Sequence, residues 1–392
     1  MADEKQVDFL VTGGGIGGLA AALALARAGR RVHVLEKSPE FGEIGAGLQL
    51  GPNASHALDR LGVVEHITKV GVFPKRLVML DAITGEVVTA LDLGEKFKAR
   101  YRFPYVVMHR HDLLAILLGA CQENSAITLE TGKEVTAVED RGDHAVARCT
   151  DGSSYRAQAL IGADGLWSVA RRLIAGDAKP VCAQYVAYRG TIPIDSVSSH
   201  AGFDNVVMWA GPDLHLVQYP VRRAELFNQV AVFRSHRYVE DSDDWGTVDE
   251  LEAAFAPTCA TVRQALTQIG RGRRWPMYDR PPIAQWTRNR IALLGDAAHP
   301  MLQYLAQGAC QALEDAVTLG AAIEQGGSDI AAALAAYRQA RYLRTARVQL
   351  TAHFFGDVCH VAGVGATLRN ALLADRAHDD FGAVEWLYGH RA

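Results

Sequence analysis

The run Gly13-Gly14-Gly15-Ile16-Gly17-Gly18 constrains this chain more than any other segment, because of what flanks it. Val7-Asp8-Phe9-Leu10-Val11 reads as a buried strand, and Gly18 to Ala28 reads as a helix stopped by Gly29. Strand, glycines and helix in that order make a nucleotide-binding βαβ opening. Gly13 permits the sharp turn, Gly15 lets a pyrophosphate approach the backbone, and Gly18 lets helix and strand pack closely, with the helix N-terminus facing the phosphates. The next strand, Arg31-Val32-His33-Val34-Leu35, ends at Glu36. A carboxylate there accepts hydrogen bonds from ribose hydroxyls and repels a 2′-phosphate.

Two more glycine–aspartate pairs follow in order, Asp164-Gly165 and Gly295-Asp296, and the three together suggest FAD. A second glycine-rich loop, Gly42 to Gly51, contains Gly45-Ala46-Gly47-Leu48, where backbone can pass close to a flavin ring. The apolar stretch Ile291-Ala292-Leu293-Leu294 leads into Gly295-Asp296. It places the Asp296 carboxylate at the carboxyl end of a strand, where ligands gather in open α/β sheets. Gly308-Ala309-Cys310 begins a helix whose unpaired N–H groups are expected to face the pyrimidine edge of the isoalloxazine and to stabilise the anionic reduced flavin.

Composition narrows the class. The 392 residues suffice for two to three domains with a large core. Forty-four acidic against 40 basic residues give a formal charge of −4, a balance that offers nothing to nucleic acid or to an anionic membrane. Six widely spaced cysteines, with no CxxC and no Cys/His cluster, support neither a metal site nor a disulfide framework. No run of about 18 apolar residues appears, so no membrane span is expected. A cytoplasmic enzyme with reduced thiols is the expectation.

The motifs divide the chain. Residues 1–72, 100–178 and 286–392 read as a composite nucleotide-binding domain with Ala-rich C-terminal helices. Residues 73–99 and 179–285, where alternating β segments are broken by Pro and Gly, read as an inserted substrate domain. Pro52 opens a helix through Leu61. The helix from Asp329 to about Phe355 is expected to cover the core or to pack against a second copy in a homodimer.

Asp164-Gly165-Leu166-Trp167-Ser168-Val169-Ala170-Arg171 and Leu294-Gly295-Asp296-Ala297-Ala298-His299-Pro300 resemble two fingerprints of the single-component (group A) flavoprotein aromatic hydroxylases. The likeness spans nearly the whole chain. Trp275-Pro276-Met277-Tyr278-Asp279-Arg280 and Leu302-Gln303-Tyr304-Leu305-Ala306 narrow it toward those acting on hydroxybenzoates. The resemblance implies an α/β fold like that of para-hydroxybenzoate hydroxylase, with a Rossmann-like FAD-binding domain and an inserted β-sheet domain. It also implies Asp164 by the FAD pyrophosphate, Asp296 on the ribitol or ribose hydroxyls, and Arg110 near the phosphates. NADH, with NADPH left open, is the implied transient donor, since the sequence has no second glycine-rich nucleotide motif. The implied reaction hydroxylates 3-hydroxybenzoate with dioxygen, through a flavin C4a-hydroperoxide, para to its hydroxyl. The product is 2,5-dihydroxybenzoate (gentisate). Salicylate 1-hydroxylation or another phenol is the alternative, and a non-oxygenating FAD reductase the third reading. Cys310 departs from the asparagine frequent in the family, although its backbone N–H still serves.

In Leu214-His215-Leu216-Val217-Gln218-Tyr219, His215 and Tyr219 share one strand face. A phenol becomes more electron-rich when an imidazole takes its proton, so His215 is the expected base. Gln303, where most relatives have proline, offers a donor and an acceptor to orient the hydroxyl opposite. Tyr105, Tyr219 and Tyr304 are expected pocket walls, the phenols of Tyr105 and Tyr219 being candidates for a substrate carboxylate. Leu50 is an expected apolar wall, and Arg189 the leading basic candidate for the carboxylate.

Overall fold

A computed structural model describes residues 4–42, 46–176, 179–197 and 202–392; Gly45, in the second glycine-rich loop, lies outside them. Two sheets organise the chain. The first centres on parallel strands in the order Ile291–Leu293, Ser154–Gly162, Glu4–Thr12, Val32–Leu35 and Ile127–Glu130. Glu4–Thr12 holds the middle because its inner half, Phe9-Leu10-Val11, is fully buried and has a strand on each side. The helices Ile16–Arg27 and Gly308–Gly326 pack on one another beside this sheet, and Gly320 marks a close approach: a Cβ there would sit 2.9 Å from the carbonyl oxygen of Ala24.

The second sheet runs Trp275–Asp279, Val181–Pro193, Leu226–Arg234, Leu214–Val221, Asn205–Gly211, Arg76–Asp81 and Val87–Asp92. It is antiparallel except where Asn205–Gly211 meets Arg76–Asp81. The alternating segments of 180–285 and the excursion at 73–99 both contribute strands to it. Two helices, Val248–Phe255 and Ala260–Leu266, interrupt a stretch that reads in sequence as β only. Val248–Phe255 begins with a complete capping box, Thr247 with Glu250, and buries Leu251 and Phe255. A two-stranded ribbon, Gly47–Leu50 with Val106–His109, lies between the sheets in sequence and carries the second glycine-rich loop toward Tyr219, since Gly47 N–H donates to Asn228 at 2.7 Å.

The C-terminal helix begins at Ile330, as the alanine pattern suggests, but runs on to His360, five residues beyond the expected end. Gly363–Ala374 and the short Glu385–Tyr388 follow. Among the described residues no helix is long and apolar enough to cross a membrane, and no group of three His, Cys, Asp or Glu is placed to hold a metal ion.

Candidate active site

The first motif acts through backbone shape. Gly13 has φ +106°, and a Cβ there would lie 2.4 Å from the carbonyl oxygen of Ala163. A Cβ on Gly18 would lie 1.9 Å from the carbonyl oxygen of Gly13, so the turn and the helix close only with glycine at both places. Helix Ile16–Arg27 starts at Gly15 with no side-chain cap, leaving its first N–H groups available to a phosphate. Glu36 accepts from Gly14 N–H at 2.7 Å through one oxygen and from Ser38 N–H at 2.8 Å through the other. Its carboxylate is thereby fixed beside the glycine turn, with lone pairs left for ribose hydroxyls.

The second and third motifs are tied to each other. Asp164 accepts from Ser168 Oγ at 2.5 Å and Val169 N–H at 2.7 Å, while Ser168 accepts from Arg171 N–H at 2.9 Å. Arg171, fully buried, donates from Nη1 to the carbonyls of Ala297 and Ala298 at 3.1 and 2.7 Å. The Asp164 carboxylate therefore caps helix Val169–Ala175 behind the wall. Its neighbours Ala163 and Gly165, rather than Asp164 itself, face the cavity. The capping signal was present in the sequence, as an acid four residues before a serine that opens a helix.

One cavity of about 880 Å³ joins the two sheets. At one end lie Gly15, Leu48, Arg110, Asp296, Gly308 and Ala309. Burial lowers the pKa of Arg110 and the facing charge of Asp296 raises it, so a guanidinium and a carboxylate line the same end. Helix Gly308–Gly326 likewise has no side-chain cap, so its N–H groups open onto this end. Bare helix starts, a cradle that Cβ atoms would fill, and an Arg/Asp pair fit an FAD: the first helix and Arg110 would hold its phosphates, Asp296 its hydroxyls, and Gly308–Ala309 its ring edge. Cys310 stands just outside the lining, its thiol toward the carbonyls of Gln49 and Ala306 at 3.6 Å each. Burial pushes that thiol up to about 12, so it is filler.

A buried ion network holds this end in place. Arg341 pairs with Asp315 at 2.7 Å and Glu314 at 2.5 Å, and Arg344 pairs with Glu314 at 2.6 Å. Asp315 also accepts from Gly295 N–H at 3.0 Å and lies 2.5 Å from His299 Nε2, which ties the Gly295-Asp296 loop to the helix. Asn53 donates to Gln307 at 2.9 Å and Glu314 at 2.7 Å, fixing the helix start. Burial raises the pKa of both carboxylates, but for Glu314 the arginines, and for Asp315 His299 and Arg341, outweigh it and hold each at about 2.

The same cavity is lined by His215, Gln303 and Tyr304, which make up its substrate end, and by Tyr105, Tyr219 and Arg189, which reach back toward Cys310, Gly47 and Arg110. His215 is 2 % exposed, and its Nδ1 is 2.8 Å from His360 Nε2, which leaves Nε2 to serve the cavity. Burial holds His215 well below the ordinary histidine value, so it is neutral near pH 7. Tyr304 packs edge-on against both histidines, at 5.5 and 5.3 Å between ring centroids. Burial raises the pKa of Tyr105, Tyr219 and Tyr304, so all three remain O–H donors. Tyr105 donates to Gln49 Oε1 at 2.8 Å. Arg189 stacks over Trp275 at 4.4 Å, and burial with the nearby charge of Arg110 lowers it to about 10.

Leu50 corrects the sequence reading. It is fully buried in the core of the first sheet, and Gln49, one residue earlier, lines the cavity instead. The cavity takes in Gly47, Leu48 and Gln49 alike, and Leu48 shares a strand face with Leu50, so the strand passes from wall into core at its last residue rather than by turning a face away. Tyr388 and His360, from the C-terminal helices, also went unread; Tyr388 lines the cavity and packs edge-on against Tyr105 at 5.8 Å.

Residues 6–351 match the FAD binding domain family. The chain belongs to this family, as a group A flavoprotein hydroxylase. It is 42% identical over 385 residues to the 3-hydroxybenzoate 6-hydroxylase of Polaromonas naphthalenivorans (strain CJ2), covering 98% of this chain and 96% of that one. It is 41% identical to the 3-hydroxybenzoate 6-hydroxylase of Klebsiella oxytoca, over 98% and 97% of the two chains. Among solved structures, HpxO of Klebsiella pneumoniae, complexed with FAD and uric acid, superposes with a TM-score of 0.84 at 28% identity, over 95% and 93% of the two chains. The enzyme is thus a flavin-dependent monooxygenase with the α/β fold that the three ordered motifs imply, and FAD is its cofactor.

Proposed function

We propose that this enzyme converts 3-hydroxybenzoate, dioxygen, NADH and a proton to 2,5-dihydroxybenzoate, NAD⁺ and water. The observation that carries the reading is the meeting in one cavity of His215 and Gln303 with the uncapped helix start at Gly308. The relatives named above agree with it. FAD bound at the Arg110–Asp296 end supplies the chemistry that activates dioxygen. His215 accepts the phenol proton at Nε2 and raises electron density at the ring carbon para to the oxygen. Gln303 orients the same hydroxyl, and Tyr304 with the surrounding apolar wall keeps water out. Tyr219, and Tyr105 once its hydroxyl turns from Gln49, donate to the substrate carboxylate, with Arg189 as the nearby cation. Residues 73–99 and 179–285 form the substrate domain in this reading, and the remainder the FAD domain.

We also propose a homodimer in the cytoplasm. Leu343, Leu350 and Phe354 are about two-thirds exposed on one face of the long helix, and Val364, Leu368 and Leu372 repeat every four residues on the next. All six cysteines are unpaired.

Oxidation of NADH should be followed with 3-hydroxybenzoate, salicylate and 4-hydroxybenzoate, with products separated by chromatography. Gentisate from the first, with little product from the others, is the expected outcome. Flavin reduction stimulated by 3-hydroxybenzoate but ending only in hydrogen peroxide would overturn the proposal.

A further inference from the structure

We propose that His360 is the second station of a proton path that starts at His215 and carries the phenol proton from the cavity toward Asp213 at the surface. The inference rests on the reading of His215 as the group that takes that proton. Its basis is geometric. His215 Nδ1 and His360 Nε2 are 2.8 Å apart, both rings are buried, and Tyr304 closes one side of the pair. On the far side Tyr185 stacks on His360 at 4.7 Å and donates its hydroxyl to Asp213 Oδ1 at 3.2 Å. Asp213 N–H donates to the His360 carbonyl at 3.1 Å, which pins the exposed aspartate to the helix end. The Asp213 side chain is 44% exposed and 3.5 Å from His236, so the path ends in solvent.

Two histidines do what one does poorly here. Burial depresses the pKa of His215 well below its ordinary value and that of His360 to about 4, so neither ring holds a charge readily at neutral pH. A lone His215 would have to keep an imidazolium in an apolar site. Two coupled rings avoid this by passing the proton on. The phenol O–H bond breaks as an N–H forms at His215 Nε2, the Nδ1–H of His215 moves to His360 Nε2, and the Nδ1–H of His360 leaves for water or the Asp213 carboxylate. One proton enters, one leaves, and both rings end neutral with their tautomers exchanged. Return of a proton to the product oxygen along the same path restores them.

The charges around the pair set a direction. Around His360 are His215, Tyr304 and Tyr185, with Asp213 and, from helix Gly363–Ala374, Arg369 near enough for their charges to act on it, while Asp357 and Cys359 of its own helix act on Tyr185 and Tyr304. Arg369, which donates to the Cys359 carbonyl at 2.9 Å and lies 3.5 Å from Asp81, opposes positive charge on His360, while Asp213 favours it. A proton arriving at His360 is therefore pushed away from the arginine and toward the aspartate.

The test uses the oxidised FAD-bound enzyme without NADH, with 3-hydroxy-4-nitrobenzoate as a probe whose phenolate absorbs visible light. After a pH jump, ionisation of the bound probe is followed by stopped flow. His360→Gln is expected to slow it by about tenfold or more while leaving the probe's Kd within about twofold. Imidazole added to His360→Ala is expected to restore the rate, which a structural defect would not allow. His215→Gln separates the two claims. If it slows ionisation while His360→Gln ionises at the wild-type rate, the path is overturned and the base at His215 stands. Wild-type rates in both overturn both. Should His360→Gln fail to retain FAD, Asp213→Asn at the exposed end decides: slowed ionisation supports the path and an unchanged rate overturns it.

Discussion

The two ends of the cavity bury ionisable groups in opposite ways. Behind the flavin end, Arg341, Glu314 and Asp315 are almost wholly buried, and every charge meets an opposite one within hydrogen-bond distance. At the substrate end, His215 and His360 are buried against each other and against aromatic rings, with no charge paired to either ring within salt-bridge distance among the described residues, so burial drives them neutral. Satisfied charges make a rigid scaffold for a cofactor whose position must not vary. Neutral, titratable groups make a site whose protonation changes during the reaction. The comparison explains why the flavin end can be common to many substrates while the histidine end selects among phenols.

The largest expected effect breaks the first half of that comparison. Arg341→Met leaves two buried carboxylates short of a partner and is expected to cost about 3–5 kcal/mol, read by denaturant unfolding together with loss of bound FAD. A loss under about 1 kcal/mol would mean that the network is not the scaffold described.

Acid sharpens the contrast, because the two ends lose stability in separate pH windows. His215 and His360 have folded pKa values below their ordinary 6.5, so their contribution is complete above 6.5 and is lost as pH falls below it, for His360 through about 4. Glu314 and Asp315, lowered from 4.5 and 3.8 to about 2, keep theirs above about 4.5 and lose it as pH falls from there through 2. Unfolding free energy measured from pH 7 to 2 is expected to fall in two stages, with His360→Gln flattening the upper one and Asp315→Asn the lower. A single stage unaffected by His360→Gln would contradict the assignment.

A smaller effect concerns the wall between the ends. A Cβ on Gly356 would lie 2.6 Å from Tyr304 Cε2, so Gly356→Ala must displace that ring from the histidine pair. Weaker coupling of NADH oxidation to hydroxylation, by less than about tenfold, is expected with FAD content unchanged. Full coupling would free Tyr304 from any part in shaping the pocket.

Much of the flavin end was legible because its signals are local. Gly13, Gly15, Gly18 and Glu36 lie within 24 residues, the glycines there for backbone reasons and Glu36 for its carboxylate at a strand end, and the spacing alone reveals both. The substrate end is assembled from distant segments. His215 and Tyr219 could be read from strand alternation, but His360 is 145 residues from His215 and sits at a helix end that alanine content does not mark. Leu50 was misread because nothing local marks the residue at which the strand Gly47–Leu50 passes from cavity wall into core. The helix Val248–Phe255 was missed despite its Thr247–Glu250 capping box, since Pro and Gly breaks around it resembled those of a β segment. Asp164 shows the converse, a motif residue whose carboxylate works one step behind the surface that it helps to build.

The most direct measurement is gentisate formed per NADH consumed, determined side by side for wild type and His215→Ala with 3-hydroxybenzoate. The expected result is near-stoichiometric gentisate in wild type and, in the variant, hydroxylation slowed by about a hundredfold or more while FAD stays bound and NADH is still oxidised to peroxide. Wild type that yields peroxide alone, or a His215→Ala variant as tightly coupled as wild type, would contradict the division of labour between the two ends.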